Sequence, residues 1–174
     1  MKYIEKITSK KELIAALIRG DVVAMPTDTI WGLVAIANIQ SKKKIYAIKQ
    51  RPERKPILLF VSNVAMAKKY TRISLRQSRF LKKMWPGPVS VALSNTHAVP
   101  GWNTKTLALR APKNALLQSA LVKIRLPLTG TSANISGRST PKTSSAIMRH
   151  FTHARKKPDA IYVSRAGVRT RRAS

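Results

Sequence analysis

The chain has no cysteine among its 174 residues. That excludes disulfide scaffolds, thiolate zinc sites and cysteine nucleophiles, and it fits a reducing compartment. Acid is nearly as scarce: Glu5, Glu12, Asp21, Asp28, Glu53 and Asp159 are the whole set. They are scattered, with no close pair, so no carboxylate cluster for metal catalysis is expected. No apolar run approaches the roughly 20 residues that span a bilayer. The start, Met1 to Glu5, lacks the apolar stretch of a secretory signal. A soluble, cytoplasmic protein without membrane attachment is expected. Internal repeats, low-complexity segments and a dividing linker are also missing, so residues 1–174 are expected to form a single domain.

Positive charge is what the chain has in excess. Thirty-four Lys and Arg against six acids give a net charge of +28. Such a chain repels itself and attracts polyanions. Residues 41–85 carry fourteen Lys and Arg against Glu53 alone, and residues 142–174 carry nine against Asp159 alone. A broad positive surface follows, and with it attraction to nucleic acid or nucleotide phosphates. Specificity does not follow. The 44% hydrophobic content is enough for a packed core.

Strand and helix signals mix along the chain, which places it in the α/β or α+β class. Ser9 and Glu12 form a capping box ahead of Leu13, Ile14, Leu17 and Ile18, predicting a helix over 9–19 that stops at Gly20. Further helices are predicted over 42–49, 75–84, 114–121 and 143–151. In the first, Ile45, Ala47 and Ile48 are expected on the inner side. Strands are predicted over 22–25 (ended by Pro26), 56–61, 89–93, 106–110, 126–131 and 160–163. Trp85-Pro86-Gly87-Pro88 is a sharp break.

Four segments carry chemistry. Pro26-Thr27-Asp28-Thr29-Ile30-Trp31-Gly32-Leu33 follows a strand and offers hydroxyls and a carboxylate, either to a small polar ligand or to an ordinary turn. Lys49-Gln50-Arg51-Pro52-Glu53-Arg54-Lys55 holds four cations in seven residues. In extended backbone Lys49 and Arg51 share one side. Together such cations hold a triphosphate, or they line a solvated loop. Arg110 closes the apolar strand 106–110, either snorkelling or placed for a carboxylate or phosphate. Thr129-Gly130-Thr131-Ser132-Ala133-Asn134-Ile135-Ser136-Gly137 is dense in donors suited to anionic oxygens, or is a plain polar turn. It is neither a Walker A loop nor a dinucleotide fingerprint. His97, His150 and His153 lie outside these segments and read as surface residues.

In this order and spacing, the segments resemble the YrdC-like family of threonylcarbamoyl-adenylate synthases. The family's Lys-x-Arg and later Ser-x-Asn correspond to Lys49-Gln50-Arg51 and Ser132-Ala133-Asn134. Pro26-Thr27-Asp28-Thr29 is similar to its Pro-Thr-Glu-Thr, and Trp85-Pro86-Gly87-Pro88 matches its Trp-Pro-Gly-Pro. Arg110 matches the arginine of its Val-Arg-x-Pro strand, and Ser136-Gly137 complete the Ser-Ala-Asn-x-Ser-Gly run. The resemblance covers about residues 9–174.

The resemblance implies a twisted mixed sheet flanked by helices around a positively charged concave cleft. It implies an enzyme that joins L-threonine, bicarbonate and ATP into threonylcarbamoyl-AMP and releases pyrophosphate. A separate transferase then modifies the adenosine next to the anticodon in tRNA. By the resemblance, Lys49, Arg51, Lys55 and Asn134 hold the ATP phosphates. Thr29, Arg110 and Ser132 hold threonine, with Arg110 on its carboxylate. No protein nucleophile is implied, and Mg²⁺ is expected to ride on ATP rather than bind the protein.

The sequence departs from the family in places. Asp28 stands for the usual Glu, Trp31 for Tyr or Phe, and Phe60 where longer members often carry histidine. The chain stops at Arg171-Arg172-Ala173-Ser174, where the family's Ser-Thr-Ile/Val-Asp segment begins. Part of the wall around the substrates is therefore expected to be absent or supplied differently, and without the second domain of long-form members the chain resembles the short form. The competing expectation is a catalytically weak YrdC-like module that binds tRNA or double-stranded RNA. Membrane-surface binding is disfavoured, because no basic helix with an aromatic face occurs.

Overall fold

Side-chain caps start the helices in this computed structural model, which describes residues 3–53 and 55–163. The chain runs β1 (Glu5–Ile7), α1 (Lys10–Ile18), β2 (Val23–Pro26), β3 (Trp31–Val34), α2 (Ile39–Lys49), β4 (Leu58–Phe60), α3 (Val64–Ala67) and β5 (Thr71–Arg72). It continues with α4 (Leu75–Met84), β6 (Val91–Asn95), β7 (Thr106–Arg110), α5 (Ala115–Ile124), β8 (Leu128–Ser132), α6 (Ser144–Phe151) and β9 (Ala160–Tyr162).

Ser9 accepts from the Glu12 amide at 3.2 Å, so α1 begins where the capping signal put it. The return bond differs: the Glu12 carboxylate takes the Thr8 amide at 2.7 Å. Ser74 and Gln77 close a full box over α4. Asn38 and Ser41 close another over α2, which therefore begins at Ile39 rather than Lys42. Ala47, expected inside, is exposed, and the buried positions are Ser41, Ile45, Tyr46, Ile48 and Lys49.

The strands form one nine-stranded mixed sheet in the order β1-β9-β2-β3-β8-β4-β7-β6-β5. Three pairs are parallel (β1 with β9, β2 with β9, β4 with β7) and the other five are antiparallel, as the mixed pattern implied. Pro26 is the last residue of β2 rather than the residue after it. It pairs with Trp31 across a hairpin, and β9 reaches only Val23 and Ala24, so no ladder needs the missing proline N–H. The short β1, β3, α3 and β5 carry no signal of their own in the sequence.

The core is built from Leu33, Leu59, Leu109 and Leu128 on the central strands, with helices packed over them. Leu13 and Leu17 of α1 and Leu117 and Leu121 of α5 are fully buried. Each such leucine stabilises the fold by roughly 1.5–3 kcal/mol relative to exposure.

Candidate active site

The centre of the sheet brings three of the four segments together. The β2–β3 hairpin places Thr27 to Ile30 at its tip. There Thr27 Oγ1 donates to the Ile30 carbonyl at 2.7 Å. Antiparallel pairing sets Gly32 against Ser132 and Gly130 against Leu58, and parallel pairing sets Phe60 beside Arg110. The result is a cleft of about 130 Å³ whose lining includes Thr29, Phe60, Arg110 and Ser132. Gly130 lies in its floor because nothing larger fits: a Cβ there would sit 2.5 Å from the Phe60 ring.

Arg110 is half-buried at the end of β7. Its Nε donates to Ser90 Oγ at 2.9 Å, and its two terminal nitrogens have no protein partner among the described residues. Burial lowers its pKa and the nearby Asp28 carboxylate raises it. The Trp85–Pro88 turn fixes this end of the strand, since the Gly87 amide donates to the Ala111 carbonyl at 2.9 Å. The side chain is therefore held on one edge and free to bind an anion on the other.

Lys49 is the last residue of α2, not part of an extended segment, and Gln50 turns left-handed after it. Lys49 and Arg51 thus do not share one side of a strand. Lys49 is instead 2% exposed. Its ammonium donates to Ser132 O at 2.6 Å and Oγ at 3.1 Å, and to Asn134 O at 3.1 Å and Oδ1 at 2.9 Å. Three hydrogens serve four acceptors. Ser132 Oγ also donates to Asn134 Oδ1 at 2.6 Å, and the Ser136 amide returns to the Lys49 carbonyl at 2.9 Å. Burial, reinforced by the Arg51 charge, lowers the Lys49 pKa to about 8.

Arg51 lies over the Tyr46 ring, 5.3 Å from its centroid, and donates to the Pro56 carbonyl at 3.2 Å. Its buried Nε has no hydrogen-bond partner among the described residues. The Tyr46 hydroxyl donates to the Lys55 carbonyl. Lys55 itself is exposed. Arg54 and the 164–174 tail, with its terminal Arg171 to Ser174, lie outside the described residues.

Tyr46, Ser90 and His150 belong to the site's support and were not singled out by the sequence. Tyr46 and Lys49 follow Lys42 at helical spacing, a periodicity that would have found them. His150 is half-buried rather than a surface residue, and its Nε2 accepts from the Ile135 amide at 3.0 Å. Burial, then the Arg138 and Lys49 charges, lower its pKa. His97 and His153 are exposed. No group of three His, Cys, Asp or Glu that could hold a metal ion occurs among the described residues.

The sheet centre thus joins a hydroxyl-rich hairpin, a half-buried arginine with free terminal nitrogens among the described residues and a lysine-anchored polar turn, an arrangement of the YrdC type. The Sua5/YciO/YrdC family model, described as telomere recombination, matches residues 15–162. The chain belongs to that family. A provisionally named threonylcarbamoyl-AMP synthase of Methanocaldococcus jannaschii is 31% identical over 140 residues, 79% of this chain and 64% of that protein. The threonylcarbamoyl-AMP synthase of Vibrio cholerae is 28% identical over 149 residues, 82% of this chain and 79% of that protein. P. abyssi Sua5 superposes with a TM-score of 0.83 at 25% identity, over 98% of this chain and 54% of that one. A second structure of P. abyssi Sua5, complexed with L-threonine, gives 0.79 at 24% identity, over 97% and 53%. The chain thus spans less than two thirds of the Methanocaldococcus protein and about half of Sua5.

Proposed function

We propose that this chain carries threonylcarbamoyl-AMP synthase activity. It joins L-threonine, bicarbonate and ATP, releases pyrophosphate, and supplies a separate transferase that modifies adenosine next to the tRNA anticodon. The observation that carries this reading is the position of Ser132. It lines the cleft with Thr29 and Arg110, and it also receives the Lys49 ammonium together with Asn134. A small polar cleft and a buried cation therefore meet at one residue. The named activity of the Vibrio relative and the threonine in the Sua5 complex support the same assignment.

In this reading the threonine carboxylate sits on the free nitrogens of Arg110, with Thr29 and Ser132 on its polar groups. The amine takes up CO2 as a carbamate. A carbamate oxygen attacks the α-phosphorus, its new P–O bond replaces the one to the β-phosphate, and pyrophosphate leaves. Arg51, Lys55 and Asn134 hold the phosphates, and the buried Lys49 charge lowers the energy of the anionic transition state. Catalysis then lies in positioning and charge neutralisation, without a protein nucleophile. The donor set near the cleft fits a Mg²⁺ carried by ATP. Asp28 is the nearby carboxylate, and it accepts the Lys113 amide at 2.7 Å. Since the product feeds tRNA modification, the cytoplasm is the assigned compartment.

The test is pyrophosphate release from ATP with and without L-threonine and bicarbonate. Release should need both and should be lost in Arg51→Ala. Release that ignores either substrate, or an unimpaired variant, overturns the reading. The net charge of +28 favours the second reading, a YrdC-like module for tRNA or double-stranded RNA. Folded protein that binds RNA steeply with salt but releases no pyrophosphate would establish it.

A further inference from the structure

Helices α1 and α5 pack against each other, and together they border a groove of about 1060 Å³. It shares no lining residue with the cleft. Val122, 63% exposed, and the half-buried Ile14 give it an apolar surface. Ile18, one turn after Ile14 on the same face of α1, is as exposed as Val122 and lengthens the apolar strip. Lys10, Lys11, Lys123 and Arg125 also line the groove, and their side chains have no protein partner among the described residues. Glu12 is the one acid on the two helices, and its carboxylate already takes the Thr8 amide at 2.7 Å. Exposed aliphatic side chains therefore stand among uncompensated cations.

The combination narrows the occupant. A second copy of this chain brings the same cations and is repelled. Nucleic acid neutralises cations but gains from stacking on rings, and no aromatic side chain lines this groove among the described residues. A furrow between two packed helices suits a further helix, whose side-chain ridges fill it at about 8–10 Å from each axis. An apolar stripe on that helix covers Ile14 and Val122, while acids flanking the stripe reach Lys10, Lys11, Lys123 and Arg125. We propose that this groove docks an acidic amphipathic helix of another protein. With ten residues α5 is about 15 Å long, so three turns of the partner helix run its length. The site is separate from the cleft, and the inference does not rest on the synthase reading.

The test uses the full chain and a fluorescent, end-blocked peptide of about 15 residues, long enough to form helix. It carries leucines in an i, i+3, i+4, i+7 stripe and glutamates on its other faces. A second peptide of the same composition is scrambled to break the stripe and keeps the charge. By anisotropy at about 0.15 M salt, the striped peptide should bind about tenfold more tightly than the scramble. Val122→Ser removes apolar contact at an exposed helix position without changing charge. It should weaken the striped peptide about fivefold and leave the scramble unchanged. K10A/K11A/K123A should weaken the striped peptide about tenfold. K68A/K69A/K105A removes equal charge from exposed positions outside the groove and should cost about twofold at most. Equal affinity for the two peptides, or equal loss in the two triples, means diffuse attraction by net charge and overturns the groove. An RNA duplex that loses as much affinity to Val122→Ser as the striped peptide does also overturns it, in favour of nucleic acid. Pyrophosphate release by Val122→Ser is expected to match the unmodified chain, so failure here is distinguishable from failure of the synthase reading.

Discussion

The ammonium of Lys49 donates to both oxygens of Asn134, the carbonyl at 3.1 Å and the side-chain Oδ1 at 2.9 Å. A helix end and a strand-following turn, 85 residues apart, are joined by one buried charge. Lys49→Met removes the donor and leaves buried oxygens without it. A stability loss of about 1–3 kcal/mol at pH 7 is expected from urea unfolding.

The pH dependence of that loss has a definite sign. The folded pKa of Lys49 is lowered from 10.5 to about 8 by burial. Between those values the unfolded chain holds a proton that the folded chain has released, so stability from this group rises with pH. Lys49→Met lacks the group. The gap between the unmodified chain and the variant should widen from pH 8 to 10.5, and a gap that narrows would refute the buried ammonium. ATP binding near pH 8 should also take up protons, since phosphate favours the charged amine. Calorimetry in buffers of different ionisation enthalpy reads this directly.

Gly130 and Phe60 are a packed pair. A Cβ on Gly130 would lie 2.5 Å from the ring, in the floor of the cleft. Gly130→Ala should cost about 1–3 kcal/mol by overpacking. The double variant G130A/F60L should recover much of that loss, because the two changes share one contact and are not additive. Thermal unfolding of the four proteins gives the coupling. Additive losses would show that the ring does not bear the strain.

Much of this arrangement was legible in the sequence, and the remainder has physical reasons. Ser74 and Asn114 cap their helices through bonds to residues two or three further on, so local sequence is sufficient. The hairpin tip and the Ser132–Asn134 turn stood out as donor-rich segments after strands. Their meeting was not legible from residue spacing alone, because it depends on β3 pairing with β8 across a hundred residues. β3 itself is masked by Gly32, which weakens a strand signal, and by the polar tip before it. Lys49 was placed at its helix end by the sequence, but its burial was not legible, because a basic cluster reads as solvated chain. The helix instead turns it inward, beside Tyr46.

His150 supports the same turn from behind. Its Nε2 accepts the Ile135 amide, and Arg138 and Lys49 add positive charge nearby. Burial and those charges lower its pKa from 6.5, so the unfolded chain takes up a proton first on acidification. Stability from the neutral ring is complete above 6.5 and is lost as pH falls through the folded value. His150→Phe removes the acceptor and should cost about 1–3 kcal/mol at pH 7.5. At pH 5.5 the difference from the unmodified chain should shrink. An unchanged difference would mean that the imidazole does not titrate against this bond.

Arg110 and Ser90 separate substrate contact from positioning. Arg110 lines the cleft with its terminal nitrogens unpartnered among the described residues, where the proposed reading puts the threonine carboxylate, whereas Ser90 touches only its Nε, at 2.9 Å. Arg110→Ala removes charged hydrogen bonds to a carboxylate and should lower kcat/KM for threonine by about 10- to 150-fold, the equivalent of 1.5–3 kcal/mol. Ser90→Ala removes one positioning bond and should raise KM for threonine by about 2- to 10-fold. The KM for ATP should stay within error, because the phosphate-binding residues proposed here lie on α2, the turn after it and the Ser132–Asn134 turn. Ser90→Thr keeps the hydroxyl and should restore the threonine KM. A Ser90→Ala variant in which the ATP and threonine constants move together would assign Ser90 to the fold of the strand end rather than to the aim of Arg110.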